Sequence, residues 1–299
     1  MYIGRFAPTP SGPLHFGSIV TAIASFLDAK SNGGKWFVKI DDIDQLRIMI
    51  GSDISILNSL DRLHLYWDLP VVYQSHRIKE YKNQLERLKK MNKTYSCECR
   101  RRDILKLAIK GVDGFIYPGI CRKKKIEFSD KKANRVIVNN KLIATEDFIH
   151  GIVKQNLSKD IGDFIIKRSD GLFSYQLAVV VDNHLDAVTN IVRGYDLIQS
   201  IPRQVYLHQL LNFDIPEFCH IPVATKLQKK ISKSYGDTII IKGNEIAIWL
   251  KCLEFLNQPM EKFSNSMSLE EIIHEATIYW SKSLIKPLCE IEIGDNIHT

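Results

Sequence analysis

The stretch from Arg5 to Ser18 combines a histidine, small residues and prolines in an order that suits phosphate binding. It reads Arg-Phe-Ala-Pro-Thr-Pro-Ser-Gly-Pro-Leu-His-Phe-Gly-Ser. Pro8 and Pro10 end a short apolar strand near Ala7, and the apolar residues after the histidine recur at helical spacing. A strand, a loop and a helix N-terminus therefore meet here, and such a joint presents free N–H groups to a phosphate.

Several residues of this stretch could contact a nucleotide directly. Ser11, Gly12 and Gly17 are small enough for a nucleotide to approach the backbone closely, and His15 offers a hydrogen-bond donor for a phosphate. The helix is predicted to take Ser18 as its N-cap. The alternative is a loop whose prolines and glycines only shape a turn, which is the commoner meaning of an isolated His-x-Gly.

Acidic residues follow the second apolar run of the chain. Residues 35–41 predict a core strand, and Asp42 and Asp44 come directly after Asp41. Ligands of parallel α/β sheets collect at the carboxyl ends of strands, so this cluster could bind a substrate ammonium group or organise water and Mg²⁺. An equally weighted alternative is that these acids only begin the next helix, where the helix dipole favours negative charge.

Three of the six cysteines lie close together in the sequence. Cys97, Cys99 and Cys121 could supply three thiolates to a tetrahedral Zn²⁺ site, whose fourth ligand must come from elsewhere. Tyr117 lies between them as either a ligand or a packing residue. The same segment is rich in arginine and lysine, which fits either contact with an RNA backbone or a solvated loop. In a reducing compartment the pattern favours a metal site and buried thiols over disulfides.

Apolar patterns alternate between helix and strand along much of the chain. Residues 52–65 suit an amphipathic helix, residues 71–73 suit a strand, and residues 76–91 are charged and favour a helix. Short strands and turns are expected over residues 133–157. Regular alternation of this kind predicts an α/β fold with a doubly wound parallel sheet and crossover helices.

Composition restricts the class of protein. With 299 residues, of which 45% are hydrophobic, the chain can form one large or two modest domains with a substantial core. No apolar run approaches the roughly 18 to 20 residues that span a bilayer. No secretory signal precedes the first strand, so a cytoplasmic location is the default expectation. The net charge of +7 is compatible with nucleic-acid binding but does not establish it.

The string from Arg5 to Ser18 resembles the ATP-binding signature of class I aminoacyl-tRNA synthetases in its glutamyl form. Lys230-Ile-Ser-Lys-Ser234 resembles the second signature of that family, a mobile loop whose second lysine neutralises charge on the triphosphate. The string Ile-Asp-Asp-Ile-Asp, which contains Asp41, resembles the family's Ile-Glu-Asp-Ile-Asp with the first acid one methylene shorter. Two separated signatures in the right order make the resemblance specific.

The resemblance implies roles for individual residues. Tyr175 and Arg193 fall on positions that hold the substrate glutamate, and a planar guanidinium suits a carboxylate, although a surface salt bridge is the alternative for this arginine. His15 and Lys233 are the implied catalytic residues. The implied ATP ligands are Pro8, Ser11, Gly12, His15, Gly17, Lys230, Ser232 and Lys233. The implied glutamate ligands are Arg5, Phe6, Ala7, Pro8, Thr9, Asp41, Tyr175 and Arg193. The implied ligands of one structural Zn²⁺ are Cys97, Cys99, Tyr117 and Cys121.

The resemblance also implies an architecture, a Rossmann-like doubly wound parallel sheet with a small zinc-containing insertion and a helical C-terminal region. Four parts are expected. They are the first half of the catalytic domain at 1–93, a zinc-binding and connective insertion at 94–157, the second half of the catalytic domain at 158–222, and the second signature loop with the helical region at 223–299.

The stretch after Ser234 is too short for the large helical domains with which full-length glutamyl-tRNA synthetases read the anticodon. The chain is therefore similar to the truncated branch of the family, whose members activate L-glutamate with ATP, here expected with Mg²⁺, without needing tRNA. They then transfer glutamate to queuosine at the wobble position of tRNA(Asp), and a monomer is expected. Two alternatives stay open, which are charging of a tRNA 3′ end and a non-catalytic paralogue that binds tRNA or a nucleotide.

Overall fold

The structure, a computed structural model, describes residues 1–226, 229–230 and 241–293. Ser232 and Lys233 of the second signature lie outside these residues, and only the backbone of Lys230 is described. Within the described part of the chain, no helix has both the length and the apolar character needed to cross a membrane.

Fifteen strands and nine helices make up the described part of the chain, joined by short 3-10 turns. The strands are β1 (Ile3–Phe6), β2 (Lys35–Ile40), β3 (Val72–Tyr73), β4 (Thr94–Cys97), β5 (Lys110–Gly111), β6 (Gly114–Phe115), β7 (Ala133–Val136), β8 (Leu142–Asp147), β9 (Gly151–Asn156), β10 (Ile165–Lys167), β11 (Asn190–Gly194), β12 (Glu217–Ile221), β13 (Val223–Lys226), β14 (Lys229–Lys230) and β15 (Glu290–Glu292). The helices are α1 (Phe16–Ser31), α2 (Ser52–Arg62), α3 (Ile78–Lys90), α4 (Arg101–Leu105), α5 (Leu157–Asp160), α6 (Tyr175–Leu185), α7 (Ile201–Leu211), α8 (Glu245–Phe255) and α9 (Leu269–Tyr279).

Parallel pairing dominates the two sheets that form the centre of the fold. β1, β2 and β3 pair in parallel in that order. The second sheet has the order β11-β12-β8-β9, in which only the β8 and β9 pair is antiparallel. The backbone N–H of Thr189 donates to the carbonyl of Ile3 at 3.0 Å, so the two sheets meet at β1 and β11. The expected mixed α/β fold with a parallel sheet is confirmed.

A smaller antiparallel sheet, with the order β10-β7-β4, carries the cysteine-containing segment. β5 and β6 form a separate two-stranded hairpin between β4 and β7 in the chain. β8 and β9 belong to the segment expected to be a connective insertion, yet they complete the sheet that contains β11. Residues from the middle of the chain, in β8 and β9, therefore lie in the same sheet as β11, the strand that carries the predicted site residue Arg193.

Two apolar clusters hold the layers together. One packs α1, β2 and α2 with α8 and α9, and its largest fully buried side chains are Trp36 and Trp249. The other packs α3, α6 and α7 against β8 and β11. α8 and α9 lie in the C-terminal part of the chain that was expected to be helical, and both pack against α1.

Candidate active site and metal centre

A cleft of about 430 Å³ opens at the carboxyl ends of β1, β2 and β11. Ligands of parallel sheets bind at such an edge, and the volume suits a small molecule. The predicted site residues on its wall are Arg5, Phe6, Ala7, Pro8, Thr9, Ser11, His15, Gly17, Asp41, Tyr175 and Arg193. Gly12 is buried in the loop but is not part of the wall, and its φ of +131° explains the need for glycine in this turn.

Some wall residues carried no signal in the sequence. Thr21 and Val179 line the cleft from α1 and α6, Val223 lines it from the start of β13, and Pro222 lines it from the position before that strand. These residue types are common in helices and strands, and they come together only when the two sheets meet. Sequence spacing could not have identified them.

His15 is the residue at which the first helix begins. Its Nδ1 accepts a hydrogen bond from the backbone N–H of Ser18 at 3.3 Å, and its Nε2 lies 3.1 Å from the Ser18 hydroxyl. The prediction that Ser18 is the N-cap is therefore wrong, because the imidazole caps the helix three residues earlier. His15 is held at the positive end of the helix dipole, on the cleft wall.

The glycine at position 17 keeps open the space beside this imidazole. A Cβ on Gly17 would lie 3.4 Å from His15 Nδ1 and 3.7 Å from the Cβ of Ala224 in β13. β13 in turn pairs with β14, with Thr225 opposite Lys230. The backbone of Lys230 therefore lies one strand away from the cleft wall, whereas the position of Lys233 relative to His15 falls outside the described residues.

Asp41 directly follows β2, and its Oδ1 atom is buried. Its Oδ1 is 3.7 Å from Lys39 Nζ, which is too far for a hydrogen bond, and has no hydrogen-bond partner among the described residues. Burial raises the pKa of Asp41 to about 6, although the charges of Lys39 and Arg5 act in the opposite direction. A buried carboxylate oxygen without a partner on a cleft wall is suited to an ammonium group supplied by a ligand.

Arg5 supplies positive charge to the same wall. Its side chain is buried, and its Nε has no hydrogen-bond partner within the described ranges. Burial lowers the pKa of Arg5, and the charge of Arg193 acts in the same direction, whereas Tyr175 and Asp41 oppose the shift. Two arginines that share one cleft favour a ligand that carries carboxylate groups.

Arg193 is fixed by contacts on several sides. Its Nε donates to His220 Nε2 at 2.9 Å, and its Nη1 donates to the Tyr175 hydroxyl at 3.3 Å. Its Nη2 donates to the carbonyl of Leu197 at 3.4 Å. The guanidinium is therefore a buried, oriented group and not the surface salt bridge that the sequence left open. The roles of Tyr175 and Arg193 as glutamate ligands stay predictions.

The predicted zinc ligands lie together at the end of β4, where Cys97 belongs to the strand and the other three belong to the segment that follows it. The thiol sulfurs of Cys97, Cys99 and Cys121 all lie within 4.8 Å of one another. The Tyr117 hydroxyl is 3.4 Å from the sulfurs of both Cys97 and Cys99, and it accepts a hydrogen bond from the backbone N–H of Cys121 at 2.9 Å. Three soft donors and a phenol oxygen thus converge on one point, and this donor set fits a tetrahedral metal such as zinc.

Arg135 supports this cluster from β7. Its Nε donates to the Cys97 sulfur at 3.3 Å, and its guanidinium lies 3.6 Å from the centre of the Tyr117 ring. Burial raises the pKa of Cys97, but hydrogen bonds from Tyr117 and Arg135 outweigh it and hold that pKa below its ordinary value. A thiolate is thereby favoured at Cys97, as metal binding requires.

Comparison with known proteins places the chain in a family. Residues 3–278 match the model of the catalytic domain of class I tRNA synthetases (E and Q). The chain is 46% identical over 284 residues to the glutamyl-Q tRNA(Asp) synthetase of Neisseria meningitidis serogroup C (strain 053442), covering 94% of this chain and 96% of that protein. It is 40% identical to the glutamyl-Q tRNA(Asp) synthetase of Pseudomonas entomophila (strain L48), covering 93% and 92%.

A solved structure gives the same picture of the fold. The crystal structure of a glutamate tRNA ligase from Elizabethkingia meningosepticum CCUG26117, in complex with its amino acid, superposes with a TM-score of 0.82. The superposition covers 98% of this chain and 67% of that one, at 20% sequence identity, so this likeness concerns the fold alone. The sequence matches go further, and the chain belongs to the glutamyl-Q tRNA(Asp) synthetase family, a group of ligases within the class I tRNA synthetases (E and Q).

Proposed function

We propose that the protein activates L-glutamate with ATP, without needing tRNA, and transfers the glutamate to queuosine at the wobble position of tRNA(Asp). The observation that carries this proposal is the charge pattern of the cleft. Arg5 and Arg193 match the two carboxylates of glutamate, and Asp41 matches its ammonium group. The names of the relatives, 40% to 46% identical over nine tenths of the chain, support the same activity.

The first step joins glutamate to the nucleotide. An oxygen of the glutamate α-carboxylate attacks the α-phosphorus of ATP, the bond to the β-phosphate oxygen breaks, and glutamyl-adenylate and pyrophosphate form. No protein nucleophile takes part, so catalysis consists of positioning and charge stabilisation. His15, at the N-terminus of α1, is placed to donate to the phosphates. Lys233, assigned by the second signature, would neutralise charge on the triphosphate, with Mg²⁺ accompanying ATP.

The second step uses the activated carbonyl. A hydroxyl of the queuosine cyclopentenediol attacks the glutamyl carbonyl carbon, the bond to the phosphate oxygen breaks, and AMP leaves as the ester forms. The protein must keep the glutamate side chain of the bound glutamyl-adenylate fixed while pyrophosphate leaves and the RNA binds. Arg193 and Tyr175 are suited to this, since both are oriented before any ligand arrives.

The cysteine cluster is proposed to hold one structural zinc ion. Cys97, Cys99, Tyr117 and Cys121 would be its ligands, and the ion would supply cross-linking of the segment between β4 and β7 rather than reaction chemistry. We also propose that the chain divides into the four segments 1–93, 94–157, 158–222 and 223–299, with a doubly wound parallel sheet in the catalytic domain and a helical C-terminal region. The protein is proposed to act as a monomer in the cytoplasm, where tRNA and ATP are present.

Glutamate-dependent exchange of pyrophosphate into ATP, measured without RNA, tests the first step. We expect exchange by the wild type and a loss of at least about a hundredfold in Lys233→Ala. Lys35→Ala serves as a matched control, because Lys35 is exposed at the amino end of β2, away from the cleft. Exchange that survives Lys233→Ala unchanged would remove the role given to that lysine, and absence of exchange in the wild type would overturn the first step.

Charging of queuosine-containing against unmodified tRNA(Asp) with labelled glutamate tests the second step. We expect label only on the modified tRNA, and nuclease mapping should place it in the anticodon fragment. Label at the 3′ end would show a conventional glutamyl-tRNA synthetase instead. Pyrophosphate exchange without labelling of any RNA would support glutamate activation but would overturn queuosine as the acceptor.

A further inference from the structure

His220 contacts Arg193 from behind the cleft. It lies in β12 directly beside Arg193 in β11, because these parallel strands pair Arg193 with His220. Both side chains are buried, and the Arg193 Nε–H donates to His220 Nε2. A ring nitrogen that accepts a hydrogen bond carries no proton, so the neutral imidazole must hold its proton on Nδ1.

Asp147 holds the imidazole in that tautomer. Its Oδ2 accepts from His220 Nδ1 at 2.6 Å, and its Oδ1 accepts from the backbone N–H groups of Ile149 at 3.2 Å and His150 at 3.0 Å. Burial lowers the pKa of His220 to about 4, which keeps the ring neutral at physiological pH. Burial raises the pKa of Asp147, but hydrogen bonding from His220 outweighs it, and the net shift is downward. Both carboxylate oxygens of Asp147 therefore act as hydrogen-bond acceptors.

We propose that Asp147 and His220 form a positioning relay that fixes the plane of the Arg193 guanidinium for binding a carboxylate of the substrate glutamate. Arginine has five N–H donors, and three are engaged, by His220, Tyr175 and Leu197. One donor on each Nη is left for the ligand among the described residues. Two parallel donors of this kind match the two oxygens of a carboxylate, provided that the plane does not rotate.

Nε is the atom through which the plane is controlled. A lysine or a freely rotating arginine would offer charge without direction, whereas the bond from Nε to His220 sets the rotation of the whole group. Neither Asp147 nor His220 belongs to the cleft wall as described, so both act through Arg193 and not on the substrate. This inference rests on the proposed function for the identity of the ligand.

Three substitutions separate the parts of the relay. Asp147→Asn turns an amide N–H₂ toward His220 and favours the tautomer with the proton on Nε2, which would face the Arg193 Nε–H donor to donor. His220→Asn leaves Arg193 Nε without an acceptor. His220→Gln puts an amide oxygen close to the former Nε2 position and restores the acceptor. The first two should raise the KM for glutamate about ten- to hundredfold, with the KM for ATP within about twofold.

The control and the second readout distinguish positioning from a merely structural role. His208→Gln alters an equally buried histidine, which packs against Phe213 away from the cleft, and should lower the melting temperature without changing the ratio of the two KM values. Nitrogen-15 shifts of the imidazoles should show His220 protonated on Nδ1 in the wild type and shifted toward Nε2–H in Asp147→Asn.

Two results would overturn the relay, namely a wild-type His220 protonated on Nε2, or equal losses in both KM values without recovery in His220→Gln. The nitrogen shifts need no activity, so they decide the relay even where a variant folds poorly. They also keep the two hypotheses apart. A wild type without glutamate-dependent exchange would overturn the proposed function, whereas the tautomer would still report whether Asp147 and His220 hold Arg193.

Discussion

At the scale of single residues, the negative charge of Asp41 is expected to lower the stability of the folded protein and to strengthen glutamate binding. Its pKa of about 6 means that the folded state penalises its charge at neutral pH. We expect Asp41→Asn to raise the free energy of unfolding at pH 8 by about 1 to 3 kcal/mol. Glutamate binding should weaken by about tenfold or more, because the ammonium group loses its counter-charge. Urea unfolding and the glutamate KM measure the two effects, and a variant that loses both stability and affinity would contradict this account.

The same carboxyl predicts how glutamate binding depends on pH. An ammonium ligand favours ionised Asp41 and so lowers its pKa below the value of about 6 in the free protein. Affinity should therefore be full above pH 6 and fall by up to about tenfold for each pH unit below it. Calorimetric titration with glutamate between pH 5 and 8 measures this dependence. In Asp41→Asn the curve should be flat, and an equal slope in both proteins would assign the titration to another group.

Site residues whose neighbours in the sequence form a recognisable motif could be predicted, whereas site residues that come together only through the pairing of strands could not. The string around His15 and the acid Asp41 were identified because their neighbours in the chain carry the pattern. His220 and Asp147 stand alone in sequence, and their link to Arg193 exists only because β11, β12 and β8 pair in one order. A lone histidine in an apolar strand gives no signal of that kind.

Among elements, a buried carboxylate joins one strand to two helices. Asp182 of α6 accepts from Lys39 of β2 at 2.9 Å, from Tyr81 of α3 at 2.8 Å and from Gln74 at 2.7 Å. Lys39→Met removes the closest cation and should cost about 3 to 5 kcal/mol of unfolding free energy, because the acid stays buried. Urea unfolding measures the loss. The double variant Lys39→Met/Asp182→Leu should recover part of the lost unfolding free energy. If the losses of the two single variants simply add in the double variant, Lys39 and Asp182 are not energetically coupled.

The cysteine segment should depend on its metal independently of the rest of the fold. We expect Cys121→Ala to abolish zinc retention, with faster amide exchange confined to the segment between β4 and β7. Cys252→Ala is the matched control, since Cys252 is equally buried but lies in α8 and away from the cluster. Elemental analysis and hydrogen exchange provide the two measurements. Purified wild type without zinc, or exchange that quickens throughout the molecule, would contradict this expectation.

The periodicity of apolar residues predicted whether a segment is a helix or a strand where the pattern was long, but not where it was short. α1 and α2 were predicted because their apolar residues recur over several turns. The run from Leu177 to Val181 is apolar at every position, so periodicity alone does not separate a buried strand from a buried helix, and the structure shows α6. The start of α1 was misplaced because histidine is a rarer N-cap than serine.

Across the whole molecule, the sequence predicts parallel sheets but not how the strands are shared between them. β1, β2 and β3 follow the chain in order, as regular alternation suggests. β8 and β9 precede β11 in the chain and yet lie on its far side, beyond β12. That order depends on long-range packing, and it is what places Asp147 behind the cleft.

Because the cleft wall takes Arg5 and Asp41 from one sheet and Arg193 from the other, a ligand that contacts all three should stabilise the molecule as a unit. A non-reactive analogue of glutamyl-adenylate at a hundred times its Kd should add about 2.7 kcal/mol to the free energy of unfolding. Hydrogen exchange should slow in both β1 and β11, because the analogue bridges the strands. Arg193→Lys should lose most of the gain, whereas Lys35→Ala should keep it. Protection confined to the β1 side would mean that the amino acid does not reach Arg193.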